Sequence, residues 1–186
     1  MKLVRDSRIA CTSTTADVVV PGLALLADFV TPAEEAALLA CIDAAPWDDG
    51  VVVTSTAEPP PTTTTTTAKK MARRVQHYGY AFDYATIEID RTPLRSKEPL
   101  PPPLAALFDR VRDRVAGLVA EQLTVNEYLP GQGIKPHVDS HKSFGAHVVS
   151  LGLSSPAVFS LRCGETEHKL LLHPRRSLLV LEGPAR

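Results

Sequence analysis

From residue 123 to its end this chain is written as strands. Val125 to Leu129, His147 to Leu153, Ala157 to Cys163, Lys169 to His173 and Ser177 to Leu181 are short β-rich runs. Pro, Gly and Ser separate them, at a spacing of about eight to twelve residues, the pattern of an antiparallel sandwich or barrel. Two helix signals come first. Thr31-Pro32-Ala33-Glu34 supplies an N-cap, a proline at the first helical position and a capping-box glutamate. Leu38, Cys41, Ile42 and Ala45 follow at helical spacing, and Pro46 closes the run. Further on, Leu104, Leu107, Phe108, Val111, Val115, Leu118 and Val119 make an apolar stripe with Asp109, Arg110, Arg112, Asp113 and Arg114 opposite. Helices first and strands after predict an α+β protein built on a jelly-roll-like double sheet.

The rest of the chain bounds that domain. Residues 1–17 hold no sustained period and read as a loose N-terminal arm, which leaves 18–186 as one domain. Within it, residues 54–70 form a low-complexity insertion: prolines and six consecutive threonines give neither a helix period nor a core face. Lys69, Lys70, Arg73 and Arg74 follow, either a solvated face or a contact for an anionic partner. The net charge of −1 excludes a wholesale polycation, so any nucleic-acid contact must come from such a local patch. Cys11, Cys41 and Cys163 form no CxxC pair and imply neither a disulfide framework nor a structural zinc cluster. Val18 to Val30, the most apolar stretch, is short and carries Pro21, Gly22 and Asp28, so no membrane span or membrane partner is expected. An intracellular protein, cytoplasmic or nuclear, is the corresponding expectation.

Two stretches carry chemistry. In Gln76 to Tyr84, the aromatic residues Tyr78, Tyr80, Phe82 and Tyr84 alternate onto one strand face. That face could be core, or it could stack a planar substrate. The second stretch runs from Asn126 to His141. His137 and Asp139 are two apart, so on extended backbone both leave the same side. An imidazole and a carboxylate so placed can take adjacent positions on one metal ion, two-thirds of a 2-His-1-carboxylate triad. A bare His-x-Asp is weak evidence, but Asn126 and Tyr128 are a second same-face pair, and Pro130-Gly131-Gln132-Gly133 can turn one pair back toward the other.

Asn-x-Tyr-x-Pro-Gly-x-Gly-Ile-x-x-His-x-Asp, followed by Phe144 and Val149-Ser150-Leu151-Gly152-Leu153, resembles the AlkB family of Fe(II)/2-oxoglutarate dioxygenases. Arg74-Val75-Gln76-His77-Tyr78-Gly79-Tyr80, the Pro21-Gly22-Leu23 opening and Pro174-Arg175-Arg176-Ser177-Leu178-Leu179 are similar to the same family. The likeness runs from about residue 20 to the end, and with His141 it looks closest to the branch that hydroxylates wobble uridines in tRNA. The resemblance implies a double-stranded β-helix (jelly-roll) core backed by N-terminal helices. It implies that His137 and Asp139 bind Fe(II) and that Asn126 and Tyr128 line the 2-oxoglutarate site. Tyr80 and Phe82 would help form a nucleotide pocket, with His141 near the base and Arg74 on the nucleic-acid side.

The implied activity uses O₂ and 2-oxoglutarate to hydroxylate or demethylate a nucleic-acid base, in tRNA or other RNA before DNA. The other readings are a protein or small-molecule substrate, or a non-catalytic jelly-roll binding module. The family's second metal-binding His and an Arg-rich strand would follow Gly183-Pro184-Ala185-Arg186, so the resemblance also implies a truncated C-terminus. A fused or associated methyltransferase domain beyond this chain is implied by the branch. His147, His168 and His173 are the substitutes within the chain, though a lone His beside a strand is more often a solvated or satisfied residue.

Overall fold

The computed structural model describes residues 2–6, 20–48, 51–57, 64–70, 73–83, 88–94, 99–163 and 167–186. Eleven strands and two helices follow in chain order among them: β1 (Lys2–Asp6), β2 (Leu23–Leu26), α1 (Pro32–Ala44), β3 (Val51–Ala57), β4 (Thr64–Lys70), β5 (Arg74–Asp83), β6 (Glu88–Leu94), α2 (Pro102–Arg114), β7 (Leu123–Tyr128), β8 (His147–Leu153), β9 (Ala157–Cys163), β10 (Glu167–His173) and β11 (Leu178–Glu182). A 3₁₀ turn at Gly183–Ala185 ends the chain. The class is α+β, with few helices and mostly antiparallel strands. No helix among the described residues is long and apolar enough to cross a membrane.

The main sheet has the order β2-β11-β8-β1-β7-β5-β6, and β9 with β10 forms a separate two-stranded sheet. Alternation along the strands gives the main sheet two unlike faces. Leu123 and Val125 of β7, Val149, Leu151 and Leu153 of β8, and Leu178 and Val180 of β11 join one core. Leu38 and Ile42 of α1 and Leu104, Leu107, Phe108 and Val111 of α2 complete it, so both helices lie on this face. Thr124, Asn126 and Tyr128 of β7 and Ser150 and Gly152 of β8 point the other way. Over that second face lies β10: a Cβ at Gly152 would meet the His173 ring at 3.4 Å and the Pro174 carbonyl oxygen at 2.8 Å.

The helix ends follow local chemistry. Glu34 N–H donates to Thr31 Oγ1 at 3.2 Å and Thr31 N–H donates to Glu34 Oε2 at 2.7 Å, a complete capping box. At the other end of α1, Gln76 Nε2 donates to the carbonyls of Ile42 and Ala45 at 2.8 and 3.0 Å, supplying side-chain donors at the helix terminus. α2 is shorter than its apolar stripe predicts. Gly117, at φ +76°, turns the chain just past it, and Val119 ends up 77% exposed. An ion pair between buried Glu35 and exposed Arg175 ties α1 to the strand turns: Glu35 accepts from Arg175 Nε at 2.7 and 2.9 Å and from Ser154 N–H at 2.8 Å.

Two stretches differ from their sequence reading. Within the expected arm, Lys2–Asp6 is strand β1, parallel to both β7 and β8 and seated between them. Five residues are too few to display a period; their extended form is set by the two neighbouring ladders. Residues 7–17 lie outside the described residues. Within the expected insertion, β3 and β4 pair as an antiparallel hairpin, in register from Val51 with Lys70 to Ala57 with Thr64. β-branched threonines favour extended backbone.

Candidate functional site

β7 runs directly into the segment that carries the His-x-Asp pair. At its end Gln132 N–H donates to the Leu129 carbonyl at 2.9 Å and Gln132 Oε1 accepts from Leu129 N–H at 2.8 Å. This closes the turn around Gly131, whose φ of +82° suits glycine. Residues 132–140 then run without ladder partners. In that stretch His137 Nδ1 sits 2.8 Å from the Lys135 carbonyl. A carbonyl can only accept, so Nδ1 carries a hydrogen, and in the neutral ring the lone pair is on Nε2. Nε2 is the nitrogen on the Asp139 side: it lies 3.5 Å from Asp139 Oδ1.

Two donors at that separation can both lie about 2.1 Å from one divalent ion. The imidazole tautomer and the carboxylate therefore fit two positions of a metal centre. Tying Nδ1–H to a carbonyl is the usual way such a ring is oriented. No third His, Cys, Asp or Glu gathers with them among the described residues. His147 instead pairs with Glu182 at 3.1 Å, His173 is buried with Nε2 2.9 Å from the Ser177 carbonyl, and the His168 side chain lies outside the described residues.

The loop beyond Asp139 is held by Arg186, a residue that sequence reasoning did not place at the site. Its guanidinium donates to the carbonyls of Asp139 at 3.1 Å, Phe144 at 2.9 Å and Ser140 at 3.4 Å. It also donates to His141 Nδ1 at 3.1 Å, which leaves His141 with an N–H at Nε2. His141 is exposed, so that N–H is offered outward. Ser143 Oγ accepts from Ile89 N–H at 3.2 Å, so β6 touches the same loop.

On the strand side, Asn126 is 5% exposed and Tyr128 half-buried. Asn126 Oδ1 accepts from Arg73 Nε at 2.7 Å. Arg73 is the second site residue beyond those singled out from sequence. Its neighbour Arg74, expected to face a substrate, lies on the opposite side. Arg74 stands across the ladder from Glu127, forks onto its carboxylate, and lies 4.4 Å over the Trp47 ring, among the helix-side residues. The one-residue step between Arg73 and Arg74 selects the sheet face.

Tyr78 belongs with Arg74: it packs against the helix-side core and its hydroxyl donates to Gln76 Oε1 at 3.1 Å. The core alternative is therefore the outcome for that tyrosine. Tyr80 is half-buried, and its carbonyl accepts from Gln122 Nε2 at 3.1 Å. Phe82 sits opposite Ile89 in the β5–β6 ladder, its side chain outside the described residues, as is all of Tyr84. On the Asn126 side, His77 is hydrogen-bonded to Thr124 Oγ1 at 3.1 Å. Burial pushes its pKa down, against a smaller upward pull from Asp48 and with a further downward push from Arg73.

The sequence matches the 2OG-Fe(II) oxygenase superfamily over residues 22–186. The chain belongs to that family. It is an AlkB-like 2-oxoglutarate oxygenase related to tRNA-modifying homologues. It is 36% identical, over 90% of its length, to a protein of Arabidopsis thaliana named alkylated DNA repair protein ALKBH8 homolog. It is 33% identical, over 89% of its length, to the Xenopus tropicalis tRNA (carboxymethyluridine(34)-5-O)-methyltransferase alkbh8. A mouse protein named alpha-ketoglutarate-dependent dioxygenase alkB homolog 4 is 26% identical over 89% of the chain and is spanned to 60%. The chain spans 49% of the Arabidopsis protein and 24% of the Xenopus one. The family implies a jelly-roll fold and the use of Fe(II) and 2-oxoglutarate. The antiparallel strands with two helices on one face agree with that fold.

Proposed function

We propose that this AlkB-like domain is an Fe(II)/2-oxoglutarate-dependent oxygenase that hydroxylates or demethylates a nucleic-acid base, with tRNA or other RNA favoured over DNA. The observation that carries the reading is the His137–Asp139 pair, its Nε2 and Oδ1 3.5 Å apart and the imidazole oriented by the Lys135 carbonyl at Nδ1. The names of the tRNA-modifying relatives support the RNA preference. A jelly roll of the double-stranded β-helix type and an intracellular setting belong to the same reading. So does a companion methyltransferase activity elsewhere in the full-length protein, after the name of the Xenopus relative.

His137 Nε2 and the Asp139 carboxylate would hold the metal, with the Lys135 carbonyl fixing the ring. Fe(II), bound with 2-oxoglutarate and O₂, supplies the oxidation of a substrate C–H bond. Asn126 and Tyr128 would bind the keto acid on the face of β7 away from the helices. Arg186 holds the loop so that Asp139 and His141 keep their relative places. Tyr80, Phe82 and the exposed His141 N–H would meet the base, which must leave any duplex stack to reach them.

The test supplies Fe(II) and 2-oxoglutarate and follows succinate release with modified tRNA, with alkylated single-stranded DNA and with no nucleic acid. Stimulation by tRNA above both others is expected; equal release in all three overturns the nucleic-acid assignment. A second reading, a binding module without turnover, is favoured by the metal pair having no third protein ligand among the described residues. Tight tRNA binding without succinate release would select it.

A further inference from the structure

We infer that Arg73 is a positioning residue that sets which way the Asn126 side chain faces its ligand; this rests on the reading of Asn126 as part of the 2-oxoglutarate site. A guanidinium has five N–H donors and no acceptor. The amide atom 2.7 Å from Arg73 Nε can therefore only be Oδ1. With Oδ1 engaged by a cation, what Asn126 has left to offer is the Nδ2 hydrogens, two donors suited to a carboxylate or keto oxygen. An asparagine amide is otherwise nearly symmetric in shape, and turned over it would meet an anionic ligand with its own carbonyl.

The surroundings favour a fixed amide. Asn126 is 5% exposed, and Val75, its cross-strand neighbour, is fully buried. Arg73 precedes β5 and reaches Asn126 across a separation of 53 residues. Its bond is charge-assisted, the stronger kind. Arg73 also adds positive charge on the His77 side of the sheet, where it helps keep that imidazole neutral. The pocket's preference for an anionic, acceptor-rich ligand is thus built from a neighbour that acts through the amide.

The test uses this chain with Mn(II) in place of iron and measures 2-oxoglutarate binding by calorimetry, alongside the Asn126 side-chain amide signals in a nitrogen-15 NMR spectrum. Arg73→Met is expected to weaken 2-oxoglutarate by about tenfold, the scale of one charge-assisted hydrogen bond. Arg73→Lys, still donor-only but with shorter reach, should recover part of the loss. In an Asn126→Ala background Arg73→Met should cost nothing more, and in the single variant the Asn126 amide pair should shift and broaden. An equal further loss in the Asn126→Ala background would mean that Arg73 acts on the ligand directly, and overturns the inference. Parent-like affinity in Arg73→Met, where Asn126→Ala is weakened, overturns it too. If Asn126→Ala binds like the parent, or the parent binds none, the cosubstrate reading falls. The amide signal then decides alone: displaced by Arg73→Met it supports the orienting role, unchanged it refutes it. Melting curves and the remaining backbone signals check that each variant is folded.

Discussion

The two faces of strand β7 share a backbone and little else. Leu123 and Val125 are fully buried against the helices, and Glu127 on the same side is neutralised by Arg74. Thr124, Asn126 and Tyr128, one residue out of step, carry a hydroxyl, an amide and a phenol to the other side, where His77 and Arg73 engage two of them. One face is finished by packing and ion pairs made within the domain. The other holds polar groups and leads along the chain to His137 and Asp139, and its use is proposed to come with a ligand added. Stability and chemistry are thus separated by the side-chain alternation of a strand, and substitutions should sort accordingly.

The largest separation should come from the metal pair. His137→Ala and Asp139→Ala should each abolish metal-dependent succinate release, and His137→Ala should leave unfolding free energy within about 0.5 kcal/mol of the parent, the usual range for surface sites. The His137 side chain is 41% exposed and supports no core contact. Activity near the parent's in either variant would remove the pair from the site.

Next in size is a contrast between adjacent residues of β8. Leu151 is 0% exposed in the helix-side core, and Leu151→Ala should cost about 3 kcal/mol, as transfer and cavity terms add. Ser150, facing the other way, is buried with no partner for its hydroxyl among the described residues. Ser150→Ala removes an unsatisfied group and should change stability by no more than about 0.5 kcal/mol. Urea unfolding of both reads the difference; equal losses would mean that both faces are packed alike.

What sequence could show follows the same division. The helix-side face announces itself through periodicity, because Leu123 and Val125, or Leu104, Leu107 and Val111, repeat an identity at a fixed step. Helix α1 is equally legible, since its cap is written in four consecutive residues. The proposed metal pair, His137 and Asp139, is local too, two residues apart in the sequence. Contacts at long range are not written that way. Arg73 and Asn126 are 53 apart and Arg186 and Asp139 are 47 apart, and nothing in either neighbourhood names the other. Choosing Arg74 over Arg73 as the outward residue requires the strand's phase, and a one-residue shift reverses every side chain. β1 was illegible for another reason: its form depends on both flanking strands.

A smaller effect concerns the seam between the sheets. His173 is fully buried, and burial lowers its pKa, an effect only partly offset by the Ser177 carbonyl. The folded protein therefore holds this ring neutral at pH values where the unfolded chain, near the ordinary 6.5, takes up a proton. Stability is complete above about pH 6.5 and falls as the pH drops below it, by at most about 1.4 kcal/mol per pH unit for one proton. His173→Gln should flatten that part of the stability curve between pH 7.5 and 5.5. A slope identical to the parent's would assign the acid sensitivity to another group, such as His77.

The smallest effect should come from the edge of the helix layer, far along the chain from the site. Thr31→Ala removes one half of the capping box and should cost about 1 kcal/mol at neutral pH, with Thr31→Ser close to the parent. Glu34, the other half, has its carboxyl held at about 2, first by its bond to Arg110 and then by the Thr31 N–H. A carboxylate depressed below its ordinary 4.5 contributes stability above that value and loses it as the pH falls toward 2. Of the bonds that hold Glu34 there, Thr31→Ala removes only the one from the Thr31 hydroxyl to Oε2 at 3.0 Å, so the difference between the variant and the parent should stay constant from pH 8 to about pH 5 and shrink modestly below. 2-Oxoglutarate affinity should not move, because α1 packs on the helix side of the sheet, away from Asn126 and Tyr128. A cap variant that weakened the ligand by more than about twofold, beyond the few tenths of a kcal/mol expected for independent sites, would show that the two faces of β7 are coupled.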